Sequence, residues 1–382
     1  MNLAERAPER CSLRRNVLLG CYGVPGRGGA STVAYRLYEL LRADGLDIQY
    51  VTIVDEQDPD FYRFLIGERY GNPRGLPGVE SCVLDGPIEG PQPTLVELIR
   101  TLSPDVMIGF GTNSATVMRP AFPERPLVLL TTGSQQMIEL VSRGEVRDFI
   151  TQREILARSP GRPTVHREDE QGAVRVADLV VTHAEIIEFL YRSYYWDQDG
   201  KIWPEVISFG EWIFEDAAPY AHLARPFEER DIDVLFIASY WTRPEKNYAL
   251  VRQIVPAFAG ARVHIVGEVE TRCPGAIHHG FIVDRTRLFG LLGRARTVVS
   301  TSAIDAAPGI LFEASAMGCN IVASPNCGNW QLCHPDLLVP RADLPGFVSA
   351  IRASLTRKYD DRADLFRDRA PTQRLIDILQ VV

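Results

Sequence analysis

Short, wholly apolar runs alternate with amphipathic stretches along this chain, and they do so in two separate series. The first series begins with NVLLGC at 16–21, a glycine-rich turn, YGVPGRGGAST, and the amphipathic VAYRLYELLRADG, where Gly45 stops the helical pattern. The runs IQYVTIV, SCVLDG, DVMIGFG, PLVLLTTG and ADLVVTH follow as strands, with TLVELIRTL and EIIEFLYRSYY as helices between or after them. Strands with no polar face need cover on both sides, which is the signature of a parallel sheet sandwiched by helices. The series restarts at DVLFIAS and continues through ARVHIVGE, HHGFIV, TVVSTS and CNIVASP, separated by helices in NYALVRQIVPAF, TRLFGLLGRA and GILFEASAMG.

The expected fold class is therefore α/β, with two Rossmann-like doubly wound domains. Residues 1–215 are expected to form the first and 233–359 the second. The stretch 216–232, rich in prolines and clustered charge, reads as a linker, and a helix within 360–382 is expected to return to the first domain. A length of 382 residues suits two domains of roughly 150 to 200 residues each.

Composition narrows the function classes. A formal net charge of −8 argues against a general nucleic-acid binder, which needs a basic face, and favours a small-molecule partner. No apolar run approaches the roughly 18 residues that a spanning helix requires, and the first twenty residues carry mixed charges rather than a secretory signal, so the expected location is cytoplasmic. Seven cysteines without CxxC spacing suggest neither a disulfide framework nor a zinc site, and no metal is expected. Lysine occurs only at Lys201, Lys246 and Lys358; nearly all basic charge is arginine.

Three segments carry residues suited to chemistry. Between the first strand and helix lie Gly26, Arg27, Gly28, Gly29, Ala30, Ser31 and Thr32, where bare backbone could admit a phosphate or sugar to a helix start. The spacing matches neither GxGxxG nor GxxxxGK[ST], so a plain turn capped by Ser31 is the equal alternative. In SYWTRPEKNYALV, Arg243 and Lys246 fall just beyond a strand, at the edge where open α/β sheets bind ligands, and two cations there suit a pyrophosphate. In TSAIDAAPGILFEASAMG, Asp305 lies on a loop and Glu313 one turn into the helix opened by Gly309. Two carboxylates facing one crevice suit a hydroxyl-rich ligand, with the backbone N–H groups of Gly309 and Ile310 between them. The DxD letters at Asp231-Ile232-Asp233 precede their strand and read as surface charge rather than a metal motif.

Over residues 233–330 the order of EKN, VHIVGE, HHGFIV, LLGRA and the acid-x7-acid segment before EASAMGCNIVAS resembles the retaining GT-B glycosyltransferases of glycosyltransferase family four. A weaker, collinear likeness runs through GRGGAST, SPDVMIGFG, PLVLLTTG and VADLVVTHAE. The resemblance implies a GT-B fold, with the two domains facing a central cleft, and a donor site for a nucleoside diphosphate sugar. It implies that Lys246, with Arg243, binds donor phosphate, that Asp305 contacts the sugar and Glu313 the ribose, and that Gly309 and Ile310 give backbone contacts. Gly28 and Gly29 would line the diphosphate, and Gly267 and Phe281 would complete the donor pocket. Lys246, Asp305 and Arg243 are the residues it implies for catalysis, with no metal and no cofactor. Three positions differ from the family pattern: Asp305 where glutamate is usual, Trp241 where an arginine is frequent, and Thr132-Gly133-Ser134-Gln135 where a histidine is frequent. The implied activity is retaining transfer of a hexose-like unit to a hydroxyl of a small-molecule or glycan acceptor. Phosphorolysis, epimerisation and non-catalytic nucleotide-sugar binding are the alternatives.

Overall fold

A computed structural model describes residues 15–23, 29–55, 79–158, 168–360, 362–367 and 370–382. Two parallel sheets carry the fold. The first contains β1 (Val17–Tyr22), β2 (Ile48–Val54), β3 (Val79–Val83), β4 (Val106–Phe110), β5 (Leu127–Leu130) and β6 (Leu179–Val181), in the order β3-β2-β1-β4-β5-β6. The second contains β7 (Ile232–Tyr240), β8 (Val263–Glu268), β9 (Ala276–His278), β10 (Ala295–Val299) and β11 (Asn320–Val322), in the order β11-β10-β7-β8-β9. In each sheet the first strand of the series sits inside, with later strands added on either side. That order produces a reversal point at the carboxyl edge.

The apolar runs explain these sheets directly. Every residue of β4 and β5 is buried, as strands covered on both faces require. In β7 successive side chains serve opposite faces: Leu235 packs with Val298, Leu311 and Phe312, whereas Val234 and Phe236 pack with Val251, Phe347 and Ile351. Helix Gly29–Ala43 is followed by Gly45 at φ +89°, the left-handed residue expected at its stop.

By its contacts the chain divides into two units that interleave along the sequence. One comprises the described residues up to Leu130 with Gly172–Val180 and Thr372–Val382; the other comprises Thr131–Gln171 and Val181–Pro371. Residues 216–232 are packed structure within the second unit. Helix Gly210–Ala217 lies against helix Gly309–Ala316, with Phe214 edge-on to Phe312 at 5.5 Å, and Gly210 is so close that a Cβ there would stand 2.5 Å from Phe312 Cε1. Tyr220 stacks on Phe289 at 4.5 Å, and the buried guanidinium of Arg230 donates to the carbonyls of Arg225, Ala295 and Met317.

Two local expectations are corrected. The strand expected in HHGFIV is Ala276–His278, because Gly280 at φ +66° breaks extended pairing just after it. Ser31 is a buried third residue of the first helix rather than its cap.

Candidate functional site

The site grows from the carboxyl edges of β7 and β10. Beyond Tyr240 the chain turns inward: the Trp241 N–H donates to Glu268 O at 2.9 Å, and its buried indole donates to Val266 O at 2.9 Å. This indole occupies the space beside Gly267, where a Cβ would lie 3.1 Å from Trp241 Nε1 and 1.8 Å from Ala238 O. With φ +118° as well, position 267 admits only glycine. Phe281, after β9, stacks on Tyr240 at 5.8 Å.

A single 3₁₀ turn, Pro244–Lys246, then presents the basic pair. Asn247 follows it at φ +56°, a conformation that asparagine tolerates better than most residues, which accounts for the last letter of EKN. Two bonds clamp this turn to the loop after β10: the Ala303 N–H donates to Glu245 O at 2.8 Å and Thr301 Oγ1 donates to Lys246 O at 3.1 Å. Lys246 Nζ consequently meets Asp305 Oδ2 at 2.5 Å, with both side chains mostly shielded. Arg243, half exposed, pairs with the buried carboxylate of Glu245.

Asp305 is fixed by its backbone. Its N–H donates to Asn326 O and its C=O accepts from Gly328 N, both at 2.9 Å, so the loops after β10 and β11 run as a short parallel bridge. Gly328 has no alternative residue: a Cβ would stand 1.7 Å from Ala306 O. Asn329 Nδ2 donates to Pro308 O at the start of helix Gly309–Ala316, which places Gly309 and Ile310 in its first turn. The first N–H groups of a helix have no partner within it and attract anions.

Glu313, in the second turn, is buried and engaged by Arg285, whose Nη1 donates to Oε1 at 2.6 Å while Nη2 donates to Asp216 at 2.8 Å. The structure thus places Lys246 with Asp305, and Glu313 in a different ion pair. Arg285 was not anticipated; it follows the helix cap Asp284 in DRTR, a position whose sequence reads as ordinary surface charge.

The loop Thr132–Gln135 is a helix start. Ser134 caps helix Gln135–Ser142 by accepting from Met137 N, and it also donates to Glu170. The fully buried Glu170 carboxylate further accepts from Gln135 N, Gln136 N and Tyr195 OH, the last at 2.7 Å. Burial pushes this carboxyl up to about 7 against those four donors, which pull it down.

Gly28 lies outside the described residues, and Gly29 opens the first helix within the other unit. Asp231 and Asp233 stand at the amino end of β7, paired with Arg294 and Arg262 respectively, on the opposite edge of that sheet from Lys246.

Residues 231–357, about a third of the chain, match the family model of group 1 glycosyl transferases. No curated protein matches the sequence. Among solved structures, HepE from Anabaena in complex with UDP and glucose is similar with a TM-score of 0.62 and 14% identity, over 96% of this chain and 100% of that one. Sucrose-phosphate synthase from Thermosynechococcus elongatus is similar with a TM-score of 0.63 and 18% identity, over 95% of this chain and 98% of that one. A UDP-GlcNAc 2-epimerase from Methanocaldococcus jannaschii is similar with a TM-score of 0.55 and 10% identity, over 96% and 100%. The fold is GT-B.

Proposed function

We propose that this chain, a GT-B fold with a group 1 glycosyltransferase domain at residues 231–357, moves a sugar from a nucleoside diphosphate sugar to an acceptor hydroxyl with retention at the anomeric carbon. The observation that carries the reading is the Lys246–Asp305 pair at the carboxyl edge of the second sheet, beside the first turn of helix Gly309–Ala316. A diphosphate bound there competes with Asp305 for the Lys246 ammonium. The exchange leaves the Asp305 carboxylate to accept from a sugar hydroxyl, so phosphate and sugar recognition are coupled in one pair.

In the chemical step the bond between C1 and the phosphate oxygen breaks, and a bond from C1 to the acceptor oxygen forms on the same face. The departing diphosphate takes the acceptor proton. Lys246, Arg243 and the N–H groups of Gly309 and Ile310 stabilise the charge that grows on the leaving group, the demand usually met by a fixed electrostatic site. These groups balance that charge, and the reading requires no metal ion. Glu313, held by Arg285, receives the ribose hydroxyls through its second oxygen. No described helix is long and apolar enough to cross a membrane, and the acceptor in this reading is a small molecule or a glycan.

Proton NMR of the product tests the chemistry. The reading requires the anomeric configuration of the donor in the product and an unchanged rate in chelator. An inverted product overturns retention; donor conversion to an isomeric sugar with no acceptor indicates epimerisation instead.

A further inference from the structure

His183 stands at the carboxyl end of β6, next to the end of β5, and in the same compact unit as Lys246 and Asp305. The ring is only 6% exposed. Its Nδ1 lies 3.4 Å from Thr131 Oγ1, and its other ring nitrogen has no partner among the described residues. That nitrogen is not among the enclosed side-chain atoms left without a partner, so although the residue is buried this atom reaches open space and is available to a ligand.

The setting is rigid. The imidazole lies parallel to Phe209 at 5.0 Å with 8° between planes, and Phe209 lies on Trp212 at 5.1 Å. Helix Gly210–Ala217, which carries Trp212, packs on the helix that carries Glu313. On the other side, a Cβ on Gly328 would fall 2.8 Å from the Ala184 methyl, so the residue after His183 presses on the loop whose N–H fixes Asp305. Burial pulls the imidazole down to about 4 even though the Asp305 charge works in the other direction. The ring is therefore neutral near pH 7, with one donor and one acceptor nitrogen. A neutral ring offers little to a phosphate. It matches a hydroxyl, which donates and accepts in turn.

We infer that His183 is a specificity-determining residue for the transferred sugar, its unpartnered ring nitrogen hydrogen-bonding a sugar hydroxyl while Asp305 binds another. The inference rests on the nucleotide-sugar reading above and adds to the sugar site a residue of the segment after β6, in the same unit as the loops after β7 and β10. It also gives the aromatic stack a purpose: Phe209 and Trp212 hold the imidazole at a fixed tilt.

Calorimetry separates the sugar from the nucleotide. Each nucleoside diphosphate, with the bases uracil, guanine, adenine and thymine, is titrated alone and as its glucosyl form into wild type, His183→Phe and His183→Gln. Phenylalanine keeps the stack on Phe209 and removes both nitrogens, whereas glutamine returns a polar group. In His183→Phe the affinity for the sugar form should fall about three- to tenfold relative to the diphosphate, the range of one lost hydrogen bond. Affinity for the diphosphate alone should stay within about twofold, and His183→Gln should recover part of the ratio. An unchanged ratio in His183→Phe overturns the inference, and so does an equal loss for both ligands, which marks a purely structural ring. Wild type that binds none of the diphosphates overturns the transfer reading itself, a result that no His183 variant can mimic.

Discussion

Asp305 and Lys246 meet because two loops are stitched together by main-chain bonds, not because opposite charges happen to be near. Thr301, Ala303, Asn326 and Gly328 do the stitching. The residue types at the ends of this pair were legible in the sequence: an uncommon lysine just after one strand and an acid just after another. Their direct bond was not, because it depends on the spatial neighbourhood of β7 and β10, which are separated in sequence by β8 and β9. Arg285 was illegible for a related reason. Its partners Glu313 and Asp216 are 28 and 69 residues away, and nothing in DRTR distinguishes it from a solvated arginine. Removing it leaves Glu313 buried without its cation, a costly state. Arg285→Ala should lower the melting temperature and raise KM for the donor more than it lowers kcat, and Arg285→Lys should recover part of both. Steady-state kinetics with a thermal melt checks this, and a normal KM in a folded Arg285→Ala protein contradicts the assigned role.

Among the elements, those with fully apolar strands were read closely from sequence. IQYVTIV coincides with β2: apart from Gln49 every one of its residues is buried, as a strand covered on both faces requires. The edge strand β9 was misplaced because only one side is paired, so little burial patterns its sequence, and the apolar FIV beyond it follows Gly280 in a left-handed turn. Helix Gly210–Ala217 was not read as an element: residues 210–215 were given to the end of the first domain and 216–232 to a linker, because prolines and charges follow it, although Trp212 and Phe214 are buried.

The start of helix Gln135–Ser142 carries its own test, because Glu170 closes it. With a carboxyl raised from 4.5 to about 7 in the folded chain, the fold binds this proton more tightly than the unfolded chain does. Its penalty is therefore absent below about pH 4.5, grows as pH rises and is complete above about pH 7, amounting to about 3 kcal/mol. Thermal melts from pH 5 to 7.5 should show this element of the pH slope in wild type and lose it in Glu170→Gln. Parallel slopes in the two proteins contradict a protonated Glu170.

At the scale of the whole molecule, the sequence disclosed two sheets and their strand content, but not how the compact units share the chain. Segments 131–171 and 181–231 belong by contact with the second sheet, so His183 and the Ser134 loop lie in the same unit as Lys246. A reading by consecutive blocks assigns them elsewhere, because chain order is the only distance that a sequence shows. One unit therefore holds Lys246, Asp305, Glu313 and His183, the residues on which the proposed donor site rests.

The central claim is that this unit holds a nucleoside diphosphate sugar through Lys246. A thermal-shift series over UDP, GDP, ADP and dTDP sugars, run on wild type and Lys246→Ala, addresses it directly. The account predicts a clear rise in melting temperature for wild type with the sugars of one base and little or none for Lys246→Ala. Equal rises in the two proteins, or no rise with any of the donors, would contradict it.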